Sequence, residues 1–315
     1  MTFRGRALEP TTDVERAAAA IAAGGLVAIP TETVYGLAAD ATDPDAVARI
    51  FEVKGRPSGH PLIVHLGEVT ELDDWSDDPP AAARHLAHLA WPGPLTIIVP
   101  RSRRVPDAVT GGRDSVGLRV PAHPMALELI RLTGTGLAAP SANRFGAVSP
   151  TTAGHVVDDL AEFLDPARDV ILDGGPCPIG VESTIVDFCN GPPQILRAGG
   201  VTPEQVVELL ASDLAEASGP ARASGMLDSH YAPNAPVRLV DSSAEARALL
   251  EAGREVVVID GSDDLAVYAR DLYAELRRAD DRGASMIVAV LPPPVGLGHA
   301  IRDRLAKAAA PRTGS

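Results

Sequence analysis

The chain has 315 residues, 45% hydrophobic and only 3% aromatic, with a net charge of −14. That length allows two domains of ordinary size, with cores built from Ala, Val, Leu and Ile. The acidic balance argues against strong direct nucleic-acid binding, where affinity comes mainly from phosphate neutralisation.

No apolar run approaches the roughly 20 residues of a membrane span. The N-terminus lacks a signal-peptide pattern, so a cytoplasmic protein with no membrane partner is expected. Cys177 and Cys189 cannot form a zinc site alone, and nothing supports a disulfide between them. Only two of the 28 basic residues are Lys, Lys54 and Lys307, which makes a Lys inside a motif noticeable.

Thr12–Glu15 fits a capping box, and an Ala-rich helix should run from it to Gly24-Gly25. Residues 26–29 read as a buried strand ended by Pro30. Asp43-Pro44 looks like an N-cap followed by Pro at the first helical position, opening a helix that ends near Gly55. Strands are expected at 61–66, 95–100, 115–121, 136–140, 169–175, 183–188 and 194–200. Helices are expected at 80–91, 123–133 and 152–164, and Thr202-Pro203 caps another to about residue 213. The pattern is a mixed α/β domain over residues 1–213, with too little regular β-α alternation for a purely parallel sheet.

Residues 214–236 are rich in Ala, Ser, Gly and Pro, have no period, and read as a linker. From 237 to 315 three β-α units follow in succession, which predicts a small Rossmann-like domain with a parallel sheet.

No Walker P-loop and no G-x-G-x-x-G after a strand is present. Four stretches carry the chemistry instead. "PTETVYGL" (30–37) crowds hydrogen-bonding side chains onto a strand end. "KGRPSGHPLIVH" (54–65) holds Lys54 and Arg56 in what reads as a rigid loop, although such a pair is more often a solvated surface feature. "GLAAPSANRFGAVSPT" (136–151) ends a strand in hydroxyls, although Ser149-Pro150 also makes a good helix start. "GVESTIVDF" (180–188) is followed by Arg197. In α/β folds ligands bind at such strand ends. Lys54, Arg56, Arg119 and Arg197 suit an anion. The residues alone support an anion-binding α/β enzyme for a nucleotide or phosphate.

Taken in order, "PTETVYGL", "KGRP…HPLIVH", "WPGPLT", "SVGLRVP", "APSAN…SPT", "DGG…GVESTIVD" and "ILRAGG" resemble the YrdC/Sua5 family, the threonylcarbamoyl-AMP synthases. The linker "SGMLDSHYAP" and the C-terminal "GLGHAIRDRL" resemble the two-domain Sua5 type. The resemblance implies a twisted mixed YrdC-like sheet followed by a small Rossmann-like Sua5 domain. It also implies a reaction: L-threonine, bicarbonate or CO2, and ATP give threonylcarbamoyl-AMP and pyrophosphate. A separate transferase then uses that product for t6A37 modification of tRNA, so a transient handover to it is implied.

By motif position, the resemblance makes Thr33, Tyr35, His65, Arg119 and Ser183 the residues around threonine. Arg56, His60, Ser115, Ser141, Asn143, Ser149, Arg197, His230 and Tyr231 become the ATP set. Lys54 and Arg56 become the catalytic cations, with Lys54 nearest the reacting phosphate. No acidic cluster suggests a protein-held metal, so Mg²⁺ is expected to arrive bound to the ATP phosphates. His60 stands where the family often has Asn, and Ala139 where it often has a hydroxyl. Glu32 reads equally well as a structural ion-pair partner and as a functional group. Two rivals remain: a double-stranded-RNA-binding module, disfavoured by the charge, and the carbamoyl-phosphate-dependent hydrogenase maturation factor, whose zinc modules two cysteines cannot supply.

Overall fold

A computed structural model describes residues 8–216, 231–252 and 255–311. His230 and Met226 of the linker lie outside them. The first sheet contains nine strands: β1 (Val27–Ile29), β2 (Gly36–Asp40), β3 (Ile63–His65), β4 (Leu95–Pro100), β5 (Ser115–Arg119), β6 (Leu137–Ala138), β7 (Val170–Ile171), β8 (Thr184–Asp187) and β9 (Gln194–Arg197). Their order is β7-β1-β2-β6-β3-β5-β4-β8-β9. Three pairs are parallel (β1·β7, β3·β5, β4·β8) and the other five antiparallel, so the sheet is mixed, as expected.

The helix starts follow local chemistry. Asp13, not Thr12, caps the first helix, Val14–Ala22, and accepts from the Arg16 N–H. Asp43 caps Pro44–Lys54, with Pro44 in the first turn, and Gly55 closes it in the left-handed conformation at φ 62°. Thr202 and Gln205 form a reciprocal capping box on Pro203–Leu210. Strand β2 was not expected: "GLAAD" is short and small-sided, without the β-branched residues that mark a strand. Its small side chains allow close approach, and a Cβ on Gly36 would lie 3.2 Å from that of Ala139.

The second sheet holds β10 (Val237–Val240), β11 (Val256–Ile259) and β12 (Met286–Val290), all parallel, in the order β10-β12-β11. Alternation along β12 divides its sides. Val288 and Val290 pack toward the helix Ser243–Ala252, while Ile287 and Ala289 pack toward Leu265–Asp281 and Gly298–Ala309.

That second core continues into the first unit, because Val34, Val148, Val181 and Tyr231 belong to the same apolar cluster as Leu272, Tyr273 and Ile301. Gly180 lies at the seam, with φ 79° and so little space that a Cβ would sit 2.3 Å from the Arg270 carbonyl oxygen. Only glycine lets the backbones come this close. Arg277 adds polar closure, donating to Asp159 at 3.0 and 2.6 Å and to the Val148 carbonyl.

Candidate active site

Polar residues are normally exposed, yet Thr31, Thr33, Arg56, His65, Arg119, Ser183 and Arg197 are all buried around one small cavity of about 50 Å³. The sheet accounts for their convergence. β1 ends, β2 begins and β6 ends on one side of β3. β5 ends, β8 begins and β9 ends on the other. Ile63 and His65, alternate residues of β3, face the cavity between them. His65 and Arg119 are register partners at the parallel ends of β3 and β5.

The polar end of β1 is wired internally. The Thr31 hydroxyl donates to the Val34 carbonyl at 2.7 Å and accepts from the Thr33 and Val34 N–H groups. It also lies 2.8 Å from the Thr33 hydroxyl. Arg119 donates to Thr33 Oγ1 at 3.0 Å, to Glu32 Oε1 at 2.7 Å and to the Gly93 carbonyl at 3.1 Å. Burial pushes the Glu32 carboxyl up, but Arg119 and the Ala122 N–H outweigh it and hold the group ionised. Burial, then Arg119, drives the His65 pKa down to about 3, so its imidazole is neutral.

Three guanidiniums, Arg56, Arg119 and Arg197, ring the cavity. Arg197 grips the Ser183 carbonyl at 3.0 and 2.9 Å and the Ser183 hydroxyl at 3.1 Å. Arg56 donates to the Pro61 carbonyl at 3.1 Å, and its pKa falls to about 10, first through burial and further through Arg197. Tyr231 lines the same cavity as Arg56 and Arg197, with 1% of its surface exposed. Its φ of 60° is rare for an aromatic residue.

Other residues singled out in the sequence sit elsewhere. Lys54 is the last residue of a helix rather than part of a loop. It is buried, and its ammonium donates to the carbonyls of Ser141 and Asn143 instead of facing the cavity. Burial, helped by Arg56, holds its pKa well below the usual lysine value.

Tyr35 is not on the cavity wall either. Its hydroxyl donates to the Gly175 carbonyl at 2.7 Å and accepts from the Gly174 N–H, tying β2 to the turn after β7. The Asn143 amide nitrogen donates to the Arg144 and Ala147 carbonyls. Ser149 stands behind the wall, donating to Glu182 at 2.7 Å. His60 packs edge-on against Phe145 with ring centroids 5.6 Å apart. Ser115, at the far end of β5, lines a separate cleft with Arg113 and Cys189. Ser141 and Ala139 do line the cavity.

Glu182 was quoted in the sequence but given no role, and it lies on the wall. Tyr273 and Arg304 reach it from the C-terminal unit. One signal was available for Arg304: it shares the apolar face of its helix with Ile301, Leu305 and Ala308, where a charge is out of place.

A family model described as telomere recombination, covering Sua5, YciO and YrdC proteins, matches residues 19–199. A second, described as the threonylcarbamoyl-AMP synthase C-terminal domain, matches residues 201–310. The chain belongs to the Sua5/YrdC family of threonylcarbamoyl-AMP synthases. A threonylcarbamoyl-AMP synthase of Pyrococcus abyssi is 41% identical, over 93% of this chain and 92% of its own. One from Bacillus subtilis is 40% identical, over 95% and 93%. The crystal structure of P. abyssi Sua5 complexed with L-threonine superimposes with a TM-score of 0.87 at 40% identity, covering 94% of both chains.

Members of the family are enzymes that use ATP as a substrate, and this chain is an enzyme of that kind. The mixed YrdC-like sheet followed by a smaller C-terminal α/β unit is the Sua5 architecture. Among the described residues no helix is long and apolar enough to cross a membrane.

Proposed function

We propose that this cavity makes L-threonylcarbamoyl-AMP from L-threonine, bicarbonate or CO2, and ATP, within a catalytic domain of residues 1–213. Residues 214–236 are the linker and 237–315 the Sua5 domain. The observation that carries the reading is the convergence of Arg56, Arg119 and Arg197 with a neutral imidazole and several hydroxyls on one cavity.

Arg119, with Thr33, His65 and Ser183, takes threonine, and its guanidinium meets the carboxylate. Arg56, Arg197 and Ser141 take the nucleotide, with Tyr231 against it. Lys54 acts indirectly, fixing the loop that carries Ser141. Asn143 and Ser149 support the same region from behind. His230 remains assigned to the nucleotide on motif position alone.

The threonine amine attacks CO2 in its neutral form and releases one proton as the carbamate forms. A carbamate oxygen then attacks the α-phosphorus, and the bond to the leaving pyrophosphate breaks. No covalent enzyme intermediate is needed, so catalysis consists of positioning and of offsetting charge with preorganised cations. Exclusion of water by Tyr231 protects the product from hydrolysis.

The wall offers guanidiniums and hydroxyls rather than grouped carboxylates, so Mg²⁺ enters with the ATP phosphates. The product then passes transiently to the tRNA threonylcarbamoyl transferase in the cytoplasm. The test is pyrophosphate release with each amino acid in turn, with and without bicarbonate. Release that depends on both L-threonine and bicarbonate is expected; release indifferent to either would overturn the reading.

A further inference from the structure

None of the surface of Arg304 is exposed. Its Nε donates to Glu182 Oε2 at 2.8 Å, and one Nη donates to the Ala198 carbonyl at 3.0 Å and to Asp303 at 2.6 Å. Ala198 directly follows Arg197. One guanidinium from the C-terminal unit therefore holds both the Glu182 carboxylate on the cavity wall and the backbone beside Arg197. Tyr273 donates to the same carboxylate, at 3.1 and 2.9 Å from its two oxygens, and Ser149 donates to it from the first unit. Tyr231 lies between them, its ring 5.4 Å from the Arg304 guanidinium carbon and 5.5 Å from the Tyr273 ring.

Such a pair is a poor source of stability, because the desolvation of both charges offsets much of their attraction. What a planar fork does well is fix direction. Glu182 accepts from Ser149 of the first unit and from Tyr273 and Arg304 of the C-terminal unit, and it shares the cavity wall with Arg197 and Tyr231. Most of the groups that set its orientation come from beyond the first sheet.

We propose that Arg304 is a positioning residue for adenylate formation: it aims Glu182, and through it Arg197 and Ser149, so that catalysis requires the C-terminal unit to be seated. The proposal rests on the assignment of Arg197 to the nucleotide. Burial alone would raise the Glu182 carboxyl, and Arg304 first, then Arg197, hold it at about 2. Without Arg304 the largest influence opposing burial is gone and the Glu182 carboxyl should rise. Once protonated, Glu182 would act as a donor where Ser149 and Tyr273 need an acceptor.

The test is a double-mutant cycle of Arg304→Met and Glu182→Gln in the full chain. Pyrophosphate release is followed against ATP and pH, and circular dichroism checks the fold. Arg304→Met should lower kcat/KM for ATP about tenfold or more, while KM for L-threonine moves less than about threefold. Its acid limb should move to higher pH. In the Glu182→Gln background, Arg304→Met should add less than about threefold and should not move the acid limb further.

Arg304→Lys keeps the charge without the fork. It should return the acid limb toward its original position and recover only part of the ATP specificity constant. Full additivity of the two substitutions, an unmoved pH profile, or equal loss in both substrate constants would overturn the proposal. Should Arg304→Met not fold, Arg304→Lys carries the cycle: parental kcat/KM, or additivity with Glu182→Gln, overturns it equally. If the unmodified chain releases no threonine-dependent pyrophosphate, the synthase reading fails and this proposal with it. If that chain is active but the variants are additive, only the role of Arg304 fails.

Discussion

Arg119 Nη2 lies 2.7 Å from Glu32 Oε1, and both side chains are buried. The guanidinium assigned to the threonine carboxylate is thus already neutralised from behind. Glu32→Gln would leave Arg119 without a charged partner, and breaking a buried pair from one side costs about 3–5 kcal/mol. The carboxylate of bound threonine should replace part of what is lost. Saturating L-threonine is therefore expected to raise the Tm of Glu32→Gln more than that of the parent. Equal increments in a thermal melt would show that threonine does not pair with Arg119.

Lys54→Met should lower stability by about 2–4 kcal/mol in urea unfolding, because the Ser141 and Asn143 carbonyls lose a buried donor. It should also raise KM for ATP, since Ser141 lines the cavity. Lys54→Arg is expected to do no better, as a planar fork does not fit where a compact ammonium sits. A stable Lys54→Met protein with kcat alone reduced would instead return Lys54 to direct catalysis.

L-threonine should be favoured over L-serine by about 1–3 kcal/mol, the worth of one methyl group in a pocket. Serine should therefore react at high concentration. The ratio of kcat/KM for the two amino acids measures this directly, and a ratio of one contradicts the threonine assignment.

The C-terminal unit should stabilise the protein in a pH-dependent way. The folded pKa of Glu182, about 2, lies below the ordinary carboxylate value of about 4.3. Its contribution is then complete above that ordinary value and is lost as pH falls toward 2. Chemical unfolding between those limits should show a steep slope in the parent and a shallower one in Glu182→Gln. Identical slopes would mean that folding does not lower the pKa of this carboxyl.

Ending the chain after residue 213 removes Tyr231, Tyr273 and Arg304 and uncovers Val34, Val148 and Val181. Thr33, His65 and Arg119 rest on the first sheet, so L-threonine binding by calorimetry should survive. Threonylcarbamoyl-AMP formation should be weak, and the product should be lost faster than from the full chain. Retention as good as in the full chain would mean that Tyr231 covers nothing essential.

Much of this was legible in the sequence because local chemistry decided it. Asp43-Pro44, Thr202-Pro203 and Gly55 are position-specific stop and start signals, and the apolar runs of β4 and β12 leave few alternatives. β2 escaped because Ala and Gly carry no strand preference. The roles of single side chains were harder to read. A motif gives the order of residues along the chain but not the direction in which a side chain leaves the backbone. Lys54 and Tyr35 stand in the expected places and turn away from the cavity. Arg304 and Tyr273 reach Glu182 across 122 and 91 residues of sequence, which no spacing rule spans.

Tyr231 lines the same 50 Å³ cavity as Arg56 and Arg197 and is 1% exposed, so ATP that docks against those guanidiniums is expected to shift the ring before it packs against the nucleotide. Measured nucleotide affinity must then include the free energy of moving the ring, so a chain that holds Tyr231 less firmly binds ATP more tightly while keeping its product less well. Capture of ATP becomes gated. At high ATP its observed rate should level off at the frequency with which the ring departs, rather than climb with concentration as a diffusive encounter would.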